Sequence, residues 1–149
     1  MKDLKKVKYL ILDMDGTVYM PKHLKTLFGQ VSAKMTEFIA LKLGIDKIKA
    51  KKIQADYFYK YDTSLRGLME NYPKIIDPSE FLSFVHNINY DCLEKDVELR
   101  EELLKLDVKA YICTNGSKEH AFNCMKRIGI DDLFEGKIMD IVDFNFKPK

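Results

Sequence analysis

Proline and glycine are scarce, four and seven in 149 residues, which excludes a long linker, and no internal repeat or low-complexity segment is present. Cysteine is scarcer still. Cys92, Cys113 and Cys124 are odd in number and lack the C-x-x-C spacing of a metal or redox pair, so a reducing, cytoplasmic setting fits best. No apolar run approaches the ~20 residues that a membrane span needs, and no apolar stretch with a small-residue cleavage site follows the first lysines. The chain reads as soluble and unprocessed. An excess of one charge is missing too: 25 basic against 23 acidic side chains leave +2, too near balance for nucleic acid or an anionic membrane as main partner. Lys2, Lys5, Lys6 and Lys8 crowd the start but lead into a strand, as a solvated edge does. His23, His86 and His120 have no metal-ligand spacing and read as surface or internally satisfied residues.

What is present suffices for one hydrophobic interior, since 46% of the residues are apolar. Residues 7–12 are apolar except for Lys8, the pattern of a strand buried on both faces of a parallel sheet, and are expected to form a central strand. A second strand is expected over 109–113, running into Thr114-Asn115-Gly116, and a weaker third over 137–142. Between them the periods are helical. Met35, Phe38, Ile39 and Leu43 share a face, with Ser32 as N-cap and Gly44 just past the end. Residues 46–68 read as one long helix or two, and Asp77-Pro78-Ser79-Glu80 supplies a cap, a Pro at N1 and a Glu at N3. Helices over 96–106 and from Ser117 to Gly129 flank the second strand, the latter striped by Ala121, Cys124, Met125 and Ile128. The order predicts an α/β fold with residues 1–20 and 91–149 as core. Residues 21–90 form a helical insertion reached by short hinges near 19–21 and 89–96.

The chemistry concentrates where the first strand ends. In Asp13-Met14-Asp15-Gly16-Thr17 two carboxylates stand one residue apart at the carboxyl end of a parallel strand, the rim where α/β sheets bind ligands. Side chains two apart share a side while the strand lasts, and Gly16 lets the chain turn afterwards. One carboxylate can coordinate Mg²⁺ and attack phosphorus, giving an aspartyl-phosphate, while the other holds a proton for the leaving alkoxide. A bound cation keeps the first ionised, and the second, set farther away, can hold a raised pKa. A calcium loop of the EF-hand type is excluded, because its glycine and glutamate places fall on Val18 and Leu24.

These residues resemble the first motif of the haloacid dehalogenase superfamily of phosphohydrolases, an apolar strand followed by D-x-D-x-T. Thr114 matches the second motif, a Ser or Thr ending the next core strand. The resemblance implies a Rossmann-like core with a parallel sheet and an inserted helical cap. It makes Asp13 the nucleophile, Asp15 the acid and base, and both the metal site for Mg²⁺. It also implies that the Thr114 hydroxyl and Asn115 backbone N–H hold phosphoryl oxygens, beside a helix N-terminus that aims donors at an anion. The third motif is a Lys, usually beside Pro, and Phe146-Lys147-Pro148-Lys149 offers two. Lys149, which follows Pro148, is preferred and Lys147 is the fallback. An acid at position 15 favours phosphate ester hydrolysis over dehalogenation. Residues 57–61, followed by Leu65-Arg66-Gly67-Leu68, resemble the pyrimidine 5'-nucleotidase group, implying a nucleoside 5'-monophosphate or similar small phosphorylated metabolite. Tyr57, Phe58, Tyr59 and Tyr61 then either stack a base or form the cap's own core, and Arg66 pairs an anion.

The superfamily's fourth motif, an acidic loop that completes the Mg²⁺ shell, has no counterpart before Lys149. Asp140 and Asp143 lie near the third strand's end, but their spacing does not match it. In the superfamily's sheet order this ending turns residues 7–12 into an exposed apolar edge, which invites pairing with another chain. The sequence is therefore expected to be a fragment or shortened product, or else to self-associate or bind a complementing piece. Two functions are carried forward: an Mg²⁺-dependent phosphatase, and a non-catalytic binding or assembly module that keeps the fold. A nucleic-acid surface built on Lys42, Lys47, Lys49, Lys51 and Lys52 is set aside, because a charge run on a helix is usually a solvated face.

Overall fold

Three parallel strands put their carboxyl ends side by side, and everything chemical in the first half of the fold follows from that alignment. In the computed structural model, which describes residues 7–144, β1 (Tyr9–Leu12), β2 (Lys109–Cys113) and β3 (Ile138–Met139) form a sheet in the order β1-β2-β3. The register sets Leu12 opposite Ile112, and Cys113 opposite Met139. Among the described residues β1 is thus an edge, with Tyr9 60% and Ile11 63% exposed, and not the central strand that its apolar run suggests. An apolar run specifies strand propensity, whereas the number of neighbours is set by which other segments pair with it.

The helices are α1 (Pro21–Leu43), α2 (Lys47–Tyr61), α3 (Ser64–Asn71), α4 (Pro78–Val85), α5 (Val97–Leu104), α6 (Lys118–Ile128) and α7 (Ile141–Phe144). The chain divides into two units, one taking in residues up to 25 and from 90 onward, the other residues 26–89, so that the first division falls inside α1. No helix of the described residues is long and apolar enough to cross a membrane.

Local chemistry explains most helix ends. Asp77 accepts from the Glu80 N–H (2.7 Å) with Pro78 at the first helical position, and Ser117 accepts from the His120 N–H (3.1 Å) to open α6. Ser32 is not a cap. Pro21 opens the same helix eleven residues earlier, and Ser32 instead accepts at Oγ from Lys51 Nζ (2.5 Å) and Gln54 Nε2 (3.0 Å) of α2. The 46–68 stretch is two helices, because Asp62 takes a left-handed φ of 66° and the Thr63 hydroxyl then caps the Arg66 N–H (3.1 Å). The third strand ends at Met139, short of the expected 142. Asp140 Oδ1 accepts from the N–H groups of Val142 (3.1 Å) and Asp143 (3.3 Å), an alternative that the strand ladder cannot match, and α7 starts instead.

In the second unit α3 lies close against α2 through Gly67, where an added Cβ would stand 2.4 Å from Tyr57 Cβ and 2.7 Å from the Tyr61 ring. Gly67→Ala ordinarily gains up to ~1 kcal/mol of helix propensity. Here overpacking should dominate and lower stability by about 1–3 kcal/mol, read as a reduced urea midpoint by circular dichroism.

Candidate active site

Asp13 leaves the end of β1, and Thr114 leaves the end of the adjacent parallel strand β2, so the register brings both to one rim of the sheet. Asp13 is exposed and Asp15 is partly buried. Between and beyond them a π-type turn, Met14–Val18, reverses the chain, with Gly16 at φ 73°, a left-handed conformation that glycine adopts without penalty. A Cβ there would also stand 3.1 Å from Leu24 Cδ2. Met14, Val18 and Tyr19 are buried and anchor the turn.

Asp15 meets Tyr19 and His120 through one oxygen. The Tyr19 hydroxyl donates to Asp15 Oδ1 (2.7 Å), and His120 Nε2 lies 2.9 Å from the same oxygen. His120 is only 2% exposed, and its Nδ1 lies 2.9 Å from the Tyr90 hydroxyl. Burial, reinforced by the Asp15 carboxylate, pushes the Tyr19 phenol far above its ordinary range, so it stays a proton donor. Burial likewise raises Tyr90. The spacing of the three histidines in the sequence gives His120 no role. The available signal was local: His120 occupies the first turn of α6, directly after Thr114-Asn115-Gly116 and before the apolar stripe Ala121, Cys124, Met125 and Ile128.

Thr114 is fully buried; its N–H donates to the Met139 carbonyl (3.0 Å) and its Oγ1 accepts from the Gly116 N–H (3.0 Å). That leaves the hydroxyl hydrogen to donate elsewhere. Asn115 follows at the same rim, half-buried. The N-terminus of α6 is partly committed within the protein: Lys118 N–H donates to Asp140 Oδ2 (2.9 Å), and the His120 N–H to Ser117. The anion at that helix end is Asp140. Its neighbour Asp143 accepts from Lys118 Nζ (2.9 Å), which draws the Asp143 carboxyl below and the Lys118 ammonium above their usual ranges. Asp140 and Asp143 are therefore structural ties.

Arg66 is exposed at the start of α3 in the second unit. There Tyr57 and Tyr61 pack edge to face (5.6 Å, 87°), while Tyr59 is 86% exposed. Burial and a hydrogen bond with Tyr72 push the Tyr57 phenol up to about 12. Lys147 and Lys149 lie outside the described residues. Among the described residues no three His, Cys, Asp or Glu side chains gather into a metal-binding group. Mg²⁺, however, takes one or two carboxylates together with waters and substrate phosphate. The exposed Asp13 carboxylate is a donor of that kind, so the residues fit a metal shared with a phosphate rather than a cage closed by protein.

A family model described as a haloacid dehalogenase-like hydrolase matches residues 7–149. The chain is 32% identical over 138 residues to "Phosphate metabolism protein 8" of Saccharomyces cerevisiae (strain ATCC 204508 / S288c), covering 87% of this chain and 42% of that protein. It thus spans less than half the length of this relative.

Cys124 Sγ lies 3.8 Å from His120 Nε2, a spacing that invites comparison with a cysteine–histidine nucleophile pair. The surroundings deny it that role. Cys124 is fully buried, and burial, with the nearby Asp15 carboxylate, pushes its thiol well above the ordinary value, whereas a nucleophilic cysteine needs a lowered one. Iodoacetamide at pH 8 should therefore alkylate Cys124 at least about tenfold more slowly in the folded protein than after denaturation. Peptide mass spectrometry checks this.

Proposed function

The chain belongs to the haloacid dehalogenase-like hydrolases, and we propose that it hydrolyses a small phosphate monoester with Mg²⁺ through an aspartyl-phosphate on Asp13. One observation carries the reading: the two carboxylates of the motif have different surroundings. Asp13 is exposed at the strand end, while Asp15 is partly buried and held by Tyr19 and His120. A nucleophile needs access, and an acid that must sometimes be protonated needs shelter.

In this reading Asp13 would hold Mg²⁺, which would offset charge on the phosphoryl oxygens. Asp13 attacks phosphorus, the bond to the leaving oxygen breaks, and that oxygen takes a proton from Asp15 and departs as an alcohol. Water then attacks the phosphoryl group and gives its proton back to Asp15, which frees phosphate and restores both carboxylates. Thr114 and the Asn115 N–H bind the phosphoryl oxygens, and Lys149, with Lys147 as the fallback, offsets charge. A nucleoside 5'-monophosphate is the candidate substrate, supported by the resemblance of residues 57–61 and Leu65-Arg66-Gly67-Leu68 to the pyrimidine 5'-nucleotidase group. The free thiols Cys92, Cys113 and Cys124 favour a cytoplasmic setting.

With p-nitrophenyl phosphate and Mg²⁺, Asp13→Asn should abolish phosphate release, and removal of the metal by EDTA should do the same. Asp15→Asn should lower kcat by roughly 10²–10⁴-fold on esters whose leaving group needs a proton. Release that persists unchanged in Asp13→Asn would remove the phosphatase reading.

A second reading, that the chain assembles through its sheet edge, is favoured by the exposed Tyr9 and Ile11 on β1. Light scattering coupled to size exclusion should then give a mass that rises with concentration and falls back to the monomer in Ile11→Lys. A monomer mass at every concentration would discard it.

A further inference from the structure

We propose that the first unit holds a binding site apart from the sheet rim, a cleft between residues 18–23 and 93–98 that takes a small zwitterion with an aliphatic chain, the chemistry of a free apolar amino acid. The cleft has a volume of about 320 Å³, at the low end of the ~300–1,000 Å³ that small-molecule sites occupy. Asp13, Asp15, Thr114 and Asn115 do not line it, so the inference stands independently of the phosphatase reading.

Backbone bonds fix both walls. On the first, the His23 N–H donates to the Met20 carbonyl (3.0 Å) where Pro21 opens α1. On the second, the Leu93 N–H donates to the Tyr90 carbonyl (3.0 Å) and the Asp96 N–H to the Ile128 carbonyl (2.9 Å), while the Asp96 carboxylate accepts from the Leu99 N–H (2.9 Å). The buried Val18, Leu93 and Ile128 give the cleft an apolar lining. A site formed in advance spares its ligand the cost of ordering the walls.

The charges around that lining decide the ligand. Lys22 and Lys95 bring ammonium groups to the cleft, and Glu94 and Glu98 bring carboxylates. Elsewhere in the unit opposite charges meet directly, Arg100 with Asp132, Lys105 with Glu102 and Lys118 with Asp143. In the cleft they do not: among the described residues none stands within hydrogen-bond or ion-pair reach of these four charged groups. Nor do the acids here gather with His23 into a metal-binding group among the described residues. An anion alone would meet the two carboxylates, and a cation alone the two ammonium groups. A molecule with one charge of each sign on a short carbon chain satisfies both, its acid group toward Lys22 and Lys95, its ammonium toward Glu94 and Glu98, and its alkyl part on Val18, Leu93 and Ile128.

Three probes with one carbon skeleton test this on the full chain: leucine, 4-methylpentanoate, which lacks the amine, and 3-methylbutylamine, which lacks the carboxylate. Isothermal titration calorimetry should show leucine binding and each single-charge probe binding about tenfold more weakly, the loss expected when one charge-assisted contact goes. Leucine should shift the backbone amide signals of residues 18–23 and 93–98 in NMR spectra. Lys22→Met combined with Lys95→Met should weaken leucine about tenfold without weakening 3-methylbutylamine, and Glu94→Gln combined with Glu98→Gln should weaken leucine without weakening 4-methylpentanoate. All four residues are exposed, so both variants should fold, which circular dichroism verifies. No leucine binding up to about 10 mM, equal affinity for the three probes, shifts confined to other residues, or leucine binding unchanged in both double variants would overturn the proposal.

Discussion

A carboxylate drawn partly out of water must be given hydrogen-bond donors, and Asp15 is where that requirement organises the first unit. Leaving a charged group without partners costs more than an ordinary hydrogen bond contributes. Tyr19 and His120 meet the demand from two directions in the chain, one four residues away and one 105 residues away. The short-range donor secures the turn after β1. The long-range partner ties that turn to the first helical turn after β2, so the segments carrying Asp15 and Thr114 are held together through Asp15.

Asp140 repeats the logic with a different outcome. It is 6% exposed and accepts from three backbone N–H groups, those of Lys118, Val142 and Asp143. Those bonds end β3, start α7 and close the beginning of α6 in one residue. Such a carboxylate is poorly placed to serve as a metal ligand, because its lone pairs already satisfy helix-end donors that would otherwise be orphaned. Burial alone therefore does not mark a reactive acid; the chemistry of the donors does. Backbone amides make Asp140 a joint, while side chains able to relay or hold protons surround Asp15.

How much of this was legible in the sequence depended on the range of the interaction responsible. Asp77, Pro78 and Glu80 announced α4, and Ser117 and Gly129 bracketed α6, because caps act within one turn. The Asp13–Gly16 turn and the strand-end placing of Thr114 were legible for the same reason. Ser32 misled because a good cap residue inside a helix is indistinguishable from one at its start until the earlier Pro21 is weighed. The length of β3 was lost because Asp140 acts on its own downstream backbone, in competition with strand pairing. The edge position of β1 was legible from the superfamily's sheet order and not from its apolar run, whereas the contact of His120 with Asp15 lay out of reach, since it joins residues 105 apart.

The same reasoning explains why the reactive segment is anchored by apolar residues rather than by its charges. Between Asp13 and Tyr19, Met14 is fully buried and Val18 and Tyr19 nearly so, while Asp13 and Thr17 face out. Burying a side chain of this size contributes on the order of 1.5–3 kcal/mol, well above the net gain from a single hydrogen bond, about 1 kcal/mol. The turn would hold its shape without Asp15's bonds, whereas Asp15 could not hold its orientation without the turn. Packing therefore sets where the carboxylates are, and hydrogen bonds set only how the second one is aimed.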